Sequence, residues 1–324
     1  MHLVDMGLPL TVVGIAALLG LIWFWQHSRD WRPRIRLLLT ALLTIFTISL
    51  FLTGGVLYWY THRPVPSDFQ KELYTGVIYY RDVRSEPRPI ILHIITIDLN
   101  LADVRFAVTA GDQNEGGAFH APSTSDFLKA YGVQIAINGD FFETVSEEWP
   151  WDRYPGTGDL IYATGLSSAE GVIYGTGHRR FRTFYMSEDQ TPSFEPPPDG
   201  DIYNAISGNV IFLADGEYTK LRGDFHNERH PRTAVALNQN EDFLILVVVD
   251  GSQPRYSEGM TLKELADVMI EYGGYTALNL DGGGSSTMVI EDEDGNPIIL
   301  NSPIADRFPG RERPVANHLG IYVD

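Results

Sequence analysis

The sequence predicts an α+β fold, in which a transmembrane hairpin of two helices precedes one mixed, strand-rich domain with few helices. Two uncharged apolar segments lie within the first 60 residues, and short runs rich in Val, Ile, Tyr and Phe follow over the rest of the chain. Helical periodicity is limited to two places. The strands therefore do not alternate regularly with helices, as they do in a doubly wound parallel sheet.

The composition excludes several classes of protein. The 324 residues include 42 acidic and 24 basic side chains, which give a net charge of −18. This excess of acid argues against binding to nucleic acid, because a duplex binder needs Lys and Arg to neutralise phosphates. A hydrophobic content of 44% supports a packed core. The lack of cysteine excludes disulfides, thiolate catalysis and cysteine-ligated zinc.

The two apolar segments, residues 8–25 and 37–60, are predicted to cross a lipid bilayer. As helices they would be about 27 and 36 Å long, against a hydrocarbon core of about 30 Å, so the first is at the short end of the range. Tryptophan and tyrosine at their ends favour the headgroup region. A signal peptide is less favoured, because residues 1–7 carry no Lys or Arg.

The charge distribution predicts how this anchor is oriented. The loop at residues 26–36 contains four arginines and one aspartate, and the positive-inside rule places it in the cytoplasm. Residues 1–63 carry a net charge of +3, whereas residues 64–324 hold 19 basic and 40 acidic side chains, a net −21. We therefore expect a two-pass anchor in the cell membrane, with the acidic part on the extracytoplasmic side.

The acidic part is divided into a connector with the beginning of the domain, residues 64–89, and the domain itself, residues 90–324. Ser123 is expected to cap one helix, and Thr261 with Glu264 forms a capping box for the other. The helices are predicted at 124–131 and 261–272. Strands are predicted at 90–99, 104–110, 133–138, 171–176, 210–213, 233–237, 243–249, 277–280, 287–290 and 318–323.

The most unusual stretch runs from Asp281 through three glycines to Ser285 and Ser286, between two predicted strands. Glycine lets a ligand approach the backbone closely, and successive N–H groups can hold an anion. The stretch is not a nucleotide phosphate loop, because no Gly-Lys-Ser/Thr follows and no helix opens. The alternative is a glycine-rich bulge that has no ligand.

Polar side chains also flank other predicted strands. Asn138-Gly139-Asp140 ends one strand, although Asn-Gly is also a hairpin signal. Arg232 begins another strand, where a guanidinium can bind phosphate or carboxylate, the alternative being a salt-bridged surface residue. Arg311, Arg313 and Asn317 precede the last strand. Because basic residues are scarce in this acidic domain, the three arginines suggest an anion site.

Motifs for cofactors and other hydrolases are missing from the sequence. There is no His-Glu-x-x-His, and without Gly-x-Ser-x-Gly Ser285 is a poor nucleophile. Residues 291–295 resemble a calcium loop in composition only, and Asp294-Gly295 is better explained as a hairpin turn. No cofactor is required by the sequence; a divalent cation such as calcium is left open, without support.

Four of these pieces occur in an order that resembles the phosphodiester glycosidase family, which includes N-acetylglucosamine-1-phosphodiester α-N-acetylglucosaminidases and bacterial proteins described as exopolysaccharide biosynthesis proteins. The resemblance extends from about residue 90 to the C-terminus, and the Asp-Gly-Gly-Gly-Ser-Ser run is its most specific part. The matching segments are Asn138-Gly-Asp-Phe-Phe142, Pro231-Arg-Thr-Ala234, Leu280-Asp-Gly-Gly-Gly-Ser-Ser-Thr287 and Arg313-Pro-Val-Ala-Asn317.

The resemblance implies an enzyme that cleaves a sugar from a glycosyl phosphodiester, on cell-surface or extracellular glycopolymers. Asp281 is then a carboxylate at the sugar, as nucleophile, as base for water or as ligand for a hydroxyl. Arg232 would stabilise the phosphate charge, and Asn138 would orient sugar hydroxyls. The substrate-binding residues implied are Asp140, Gly282, Gly283, Gly284, Ser285, Ser286, Arg313 and Asn317.

Two alternatives remain open at this point. The same glycines and arginines would serve a non-catalytic module that binds anionic polysaccharide or a lipid-linked sugar in exopolysaccharide assembly. A structural domain with glycine-rich turns is the other. Turnover by the purified protein distinguishes the enzyme from both, and ligand binding distinguishes the module from the structural domain.

Overall fold

The computed structural model describes residues 7–144, 154–175, 177, 180–221, 223 and 226–323. The chain divides into two compact units, which are described separately. The first comprises Met1–Val65 and Pro254–Tyr256, and the second Pro66–Gln253 and Ser257–Asp324.

The first unit contains two apolar helices, α1 (Gly7–His27) and α2 (Pro33–Thr61). Their mean hydropathy is 1.6 over Leu10–His27 and 2.2 over α2, and most of their large apolar side chains are exposed. The guanidinium of Arg36 at the start of α2 donates a hydrogen bond of 2.9 Å to the carbonyl of Trp25. Both helices are long and apolar enough to cross a membrane, as a membrane anchor or a signal sequence does.

The second unit is strand-rich, as predicted. Its two α-helices within the described residues are α3 (Thr124–Tyr131) and α4 (Leu262–Glu271). The strands of the same part of the chain are β1 (Phe69–Tyr74), β2 (Val77–Arg84), β3 (Ile90–Asp98), β4 (Val104–Val108), β5 (Phe119–His120), β6 (Ile135–Asn138), β7 (Phe142–Thr144), β8 (Leu160–Ala163), β9 (Ser168–Ala169), β10 (Val172–Ile173), β11 (Arg182–Met186), β12 (Pro192–Ser193), β13 (Asn204–Gly208), β14 (Val210–Ala214), β15 (Glu217–Tyr218), β16 (Arg232–Leu237), β17 (Phe243–Val249), β18 (Thr276–Asn279), β19 (Met288–Glu291), β20 (Pro297–Ile299) and β21 (His318–Val323).

The largest sheet of the described chain has eight strands in the order β1-β2-β3-β17-β16-β18-β14-β15, and each neighbouring pair is antiparallel. Both of its faces are covered. Along β16, Val235 and Leu237 pack into the core between sheets, while Ala234 and Ala236 pack on the opposite face with the apolar side of α4. This alternation follows from the two-residue period of a strand.

A second antiparallel sheet has the order β20-β19-β6-β21-β4 and lies across the core from the first. Helix α3 covers its other face through Phe127 and Leu128. Smaller sheets, β10-β9-β13-β11-β12 and β5-β8-β7, complete the unit. The domain is therefore layered, with two facing sheets between α4 and α3.

Several sequence predictions are confirmed in detail, and others are corrected. Helix 124–131 and strands 243–249 and 318–323 have the predicted bounds, and both the Ser123 cap and the Thr261–Glu264 capping box are present. Residues 64–89 contain β1 and β2, so most of this segment belongs to the large sheet. The strand predicted at 171–176 is reduced to β10, and Thr176 lies outside the described residues.

Candidate active site

The ends of several strands meet at one edge of the two facing sheets. Asn138 ends β6, Asp281 follows β18 by two residues, and Thr287 immediately precedes β19. The backbone N–H of Asp281 donates to the carbonyl of Gly139 at 3.0 Å, which connects the two sheets directly. The segments that resemble the phosphodiester glycosidase family thus converge in space.

Asn138 holds this junction together. Its side chain is completely buried. The amide nitrogen donates to the carbonyl of Asp281 at 2.7 Å, and the amide oxygen accepts hydrogen bonds from the Thr233 hydroxyl at 2.7 Å and from the Thr287 N–H at 3.1 Å. Asn138 was predicted to orient sugar hydroxyls. These contacts instead make it a positioning residue for the Asp281 loop.

Asn317 plays a similar part beside it. Its buried amide oxygen accepts the N–H of Asp140 at 2.7 Å, and its amide nitrogen donates to the Ser167 hydroxyl at 2.8 Å. The fit leaves no room for a side chain at Gly139, since an added Cβ would collide with Oδ1 of Asn317. Asn317 therefore fixes the loop after β6, although it was predicted to bind substrate.

Asp140 is completely buried, and its Oδ1 accepts the N–H of Ser207 at 2.6 Å. Its Oδ2 has no hydrogen-bond partner within the described residues. Burial raises the pKa of Asp140 well above its ordinary value, and the neighbouring charge of Asp281 adds to the shift; hydrogen bonds from Ser207 and Asn317 oppose it. Burial therefore favours the neutral form of Asp140, and its Oδ2 is a buried polar atom without a partner in the described part of the chain.

Asp281 retains partial solvent access, while protein atoms surround most of its carboxyl group. This desolvation raises the pKa of Asp281 to about 6; a hydrogen bond with Ser285, the positive charge of Arg313 and the Gly282 N–H oppose the rise. Oδ1 accepts the Gly282 N–H at 2.9 Å. A carboxyl group with such a pKa changes its charge near neutral pH, which is typical of catalytic acids and bases.

Arg313 is the cation of this site. Its Nη1 donates to Ser285 Oγ at 3.3 Å, and its guanidinium stacks 3.6 Å from the ring centre of Tyr154. The guanidinium lies directly against the backbone of Gly284, where an added Cβ would collide with it. A glycine at position 284 is therefore required for Arg313 to approach the loop.

Arg313, Gly283 and Gly284 line a cavity of about 430 Å³, which is in the range of small-molecule sites. Two predicted N–H donors are already used inside the protein, because Gly282 donates to Asp281 and Gly283 donates to the carbonyl of Pro231 at 2.9 Å. The Ser286 hydroxyl is buried without a hydrogen-bond partner in the described part of the chain.

Arg232 requires a correction. Its side chain is buried, with Nε donating to the carbonyl of Met260 at 3.0 Å and Nη2 to that of Glu228 at 2.8 Å. Burial lowers the pKa of Arg232 to about 10. Because side chains alternate along a strand, Arg232 points to the sheet face opposite the one from which Thr233 reaches Asn138. The hydrogen bonds of Arg232 to backbone carbonyls therefore indicate a structural role for a residue that was predicted to stabilise phosphate.

The sequence prediction missed a buried pair next to this site. His93 Nε2 lies 3.5 Å from Asp250 Oδ2, and Nδ1 of His93 is 2.8 Å from the Tyr79 hydroxyl. Asn301 connects Asp250 to the glycine loop, donating to Oδ1 of Asp250 at 3.2 Å and to the carbonyl of Ser286 at 3.0 Å. The sequence does contain a pattern that could have identified Asp250, since Asp250-Gly251 follows a predicted strand as Asp281-Gly282 does.

One group in the described residues has spacing suitable for a metal ion. Ligand atoms of Asp112, Glu115 and His120 lie within 4.8 Å of one another, and these side chains are half-buried or exposed. His120 Nε2 is 3.4 Å from Glu115 and 3.7 Å from Asp112, so ion pairing accounts for the arrangement when His120 is protonated. None of the three lines the cavity beside Gly284.

The comparisons with known proteins identify the family of this chain as the phosphodiester glycosidases. Residues 131–322 match the sequence model of that family, which covers more than half of the chain, and the chain belongs to it.

Its relatives include N-acetylglucosamine-1-phosphodiester α-N-acetylglucosaminidases. The enzyme from Bos taurus is 30% identical over 170 residues, which are 49% of this chain and 31% of the relative. The enzyme from Homo sapiens is 26% identical over 183 residues, which are 52% of this chain and 34% of the relative. The chain thus matches about a third of their length. The catalytic domain of the zebrafish enzyme, auto-inhibited by its pro-peptide, shares the fold with a TM-score of 0.55 and 23% identity; the match covers 81% of this chain and 85% of that domain. A hypothetical protein from Synechocystis shares the fold with a TM-score of 0.53 and 14% identity; the match covers 80% of this chain and 64% of that protein.

The structural role of Arg232 can be tested against that of Arg313. Arg232→Met removes two buried hydrogen bonds from a charged donor, so we expect a loss of about 2–4 kcal/mol in unfolding free energy and a clearly lower melting temperature. Arg313→Met, the matched control, should leave the melting temperature within a few degrees. Thermal unfolding of the full chain in detergent measures both. An unchanged melting temperature for Arg232→Met would contradict the structural assignment.

Proposed function

We propose that this chain is a membrane-anchored hydrolase that cleaves a sugar from a glycosyl phosphodiester. The observation that carries the proposal is that Asp281, whose pKa is about 6, lies next to Arg313, and that Arg313 lines a cavity together with Gly283 and Gly284. The names of the curated relatives support this substrate class. Half of the chain matches them, so the activity itself requires an experiment.

The departure of the phosphate depends more on stabilisation of its developing negative charge than on protonation by a strong acid. Water adds to the anomeric carbon, the anomeric C–O bond breaks, and its electron pair leaves with the phosphate monoester. The proton lost by water balances the reaction. Because a phosphate monoester is a weak base, it departs without full protonation, and a guanidinium such as that of Arg313 can neutralise the developing charge.

Asp281 supplies the negative charge at the sugar, as a nucleophile or as the base that takes the proton from water. Burial favours the neutral form of Asp140, and in this proposal its unpartnered Oδ2 binds a water or a sugar hydroxyl. Asn138 and Asn317 do not touch the substrate in this proposal. They hold the backbone of residues 139–140 and 281 in place, which maintains the orientation of both carboxyl groups.

The anchor is proposed to be two-pass, with the domain on the extracytoplasmic side. Four arginines at residues 29–36 support this orientation, two in the loop between α1 and α2 and two in the first turn of α2. Cell-surface or extracellular glycopolymers are then the accessible substrates. A domain of charge −21 also remains soluble and unattached to an anionic membrane surface.

Asp281→Asn should lower kcat/KM for a sugar-1-phosphodiester by about 10²–10⁴-fold, because the amide cannot carry the charge. Its melting temperature at pH 7.5 should be equal or higher: burial opposes the charged form, so an ionised Asp281 destabilises the fold above pH 6. Release of reducing sugar measures turnover, and exposed Glu293→Gln is the matched control. Wild-type turnover in Asp281→Asn refutes the mechanism; ligand binding without turnover in the wild-type chain indicates a binding module instead.

The pH dependence follows from the same carboxyl group. If the ionised form of Asp281 reacts, kcat/KM should rise with pH on a limb centred near pH 6, since lower pH protonates the group. The same initial rates, measured from pH 4.5 to 8, give the profile. A rate that falls through this limb would assign Asp281 the role of an acid instead.

The membrane topology can be tested by labelling single introduced cysteines, because the chain has no cysteine of its own. Glu293→Cys in the domain should react with a membrane-impermeant maleimide added to intact cells. Asp30→Cys in the arginine loop should react only after the cells are permeabilised. Reversed labelling would contradict the proposed orientation, and labelling of both sites in intact cells would contradict a two-pass anchor.

A further inference from the structure

A second arginine lines the cavity beside Gly284. Arg307 and Arg313 both contribute to its wall, together with Tyr154, Ser252 and the glycines. Arg313 is held by Ser285 and Tyr154. The side chain of Arg307 is exposed and makes no hydrogen bond or ion pair within the described residues. A cation lining the cavity therefore remains available for a ligand.

The backbone around Arg307 is held in a costly conformation. Asp306 and Arg307 have φ values of 51° and 67°, and Ser252, on the same cavity wall, has a φ of 55°. Left-handed backbone in non-glycine residues costs energy and clusters at functional sites. The loop is fixed by backbone hydrogen bonds from Arg307 to Ile304 at 3.2 Å and from Gly310 to Pro303 at 2.8 Å.

The nearest acid on this wall does not cancel the charge of Arg307. The carboxylate of Asp306 is paired with Arg311 at 3.1 Å. Arg313 stabilises the ionised form of Asp281, so these two charges also compensate each other. Arg307 is thus the uncompensated cation of the described wall, in a domain whose overall charge repels anions.

We propose that Arg307 is a specificity-determining residue, which binds a second negatively charged group on the leaving-group side of the phosphodiester. The preferred substrate is then a sugar-1-phosphodiester whose leaving group carries another phosphate. This inference rests on the proposed function. Arg313 takes the phosphate at the reacting bond because it lies beside Asp281 and Ser285, and Arg307 takes the next one along the same cavity.

A pair of matched compounds tests the subsite: the 2-hydroxyethyl and the 2-phosphoethyl diesters of N-acetylglucosamine 1-phosphate. With the full chain in detergent, we expect the phosphorylated compound to have a kcat/KM about tenfold higher. Arg307→Gln should remove this preference, measured as the ratio of the kcat/KM values of the two compounds; Arg307→Lys should retain part of it. Arg105→Gln, which removes the same charge from an exposed position on β4, should retain all of it. Because Arg307 is exposed, the preference should shrink as salt is added.

Binding separates this proposal from the proposed function. Calorimetric titration of both compounds into Asp281→Asn should show about tenfold tighter binding of the phosphorylated one. The difference should vanish in Asp281→Asn/Arg307→Gln. Equal affinities would overturn the subsite even if the wild-type chain is active. An affinity difference that depends on Arg307, with no hydrolysis by the wild-type chain, would support the subsite and overturn the enzymatic function.

Discussion

The buried amide of Asn138 is the interaction on which the site depends. An amide without partners in a protein interior costs several kcal/mol, so its hydrogen bonds determine which arrangements are stable. Here the partners are the carbonyl of Asp281, the hydroxyl of Thr233 and the N–H of Thr287. They come from both facing sheets. The three hydrogen bonds of the Asn138 amide therefore align the two sheets at this edge and fix the position at which the Asp281 loop begins.

The sequence was sufficient to predict the fold class and the glycine loop, because both depend on local pattern. Strands such as β17 and β21 are recognisable from their composition and length. The start of α3 is indicated by the Ser123 cap, and that of α4 by the Thr261–Glu264 capping box. Strands β7 and β9 were missed because they have only three and two residues, too few to show the alternation of apolar and polar side chains that identifies a strand. Likewise, Tyr154 and Arg307 belong to irregular segments, and only the folded chain brings them to Gly284.

Arg232 and Arg313 illustrate what sequence pattern cannot resolve. Both stand next to proline near the beginning of a strand, and both belong to segments that resemble the family. Arg313 lies in the segment before β21, whereas Arg232 lies on β16, so the deciding fact is which face of the sheet its guanidinium occupies. That depends on register, since Thr233 faces Asn138 and its neighbour must then face the other side. Hydrogen bonding confirms the consequence: Arg232 contacts backbone carbonyls, and Arg313 contacts Ser285.

The two carboxyl groups of the site resolve the conflict between an acidic domain and an anionic substrate. Two ionised aspartates beside one arginine would repel a phosphodiester. Burial opposes this by raising the pKa of Asp140, which favours its neutral form, while Arg313 stabilises the ionised form of Asp281. Charges elsewhere on the domain are screened over about 8 Å at physiological ionic strength, so the local groups decide the potential inside the cavity. The raised pKa of Asp140 thus reduces the negative charge beside Asp281, the carboxyl group whose ionised form Arg313 stabilises.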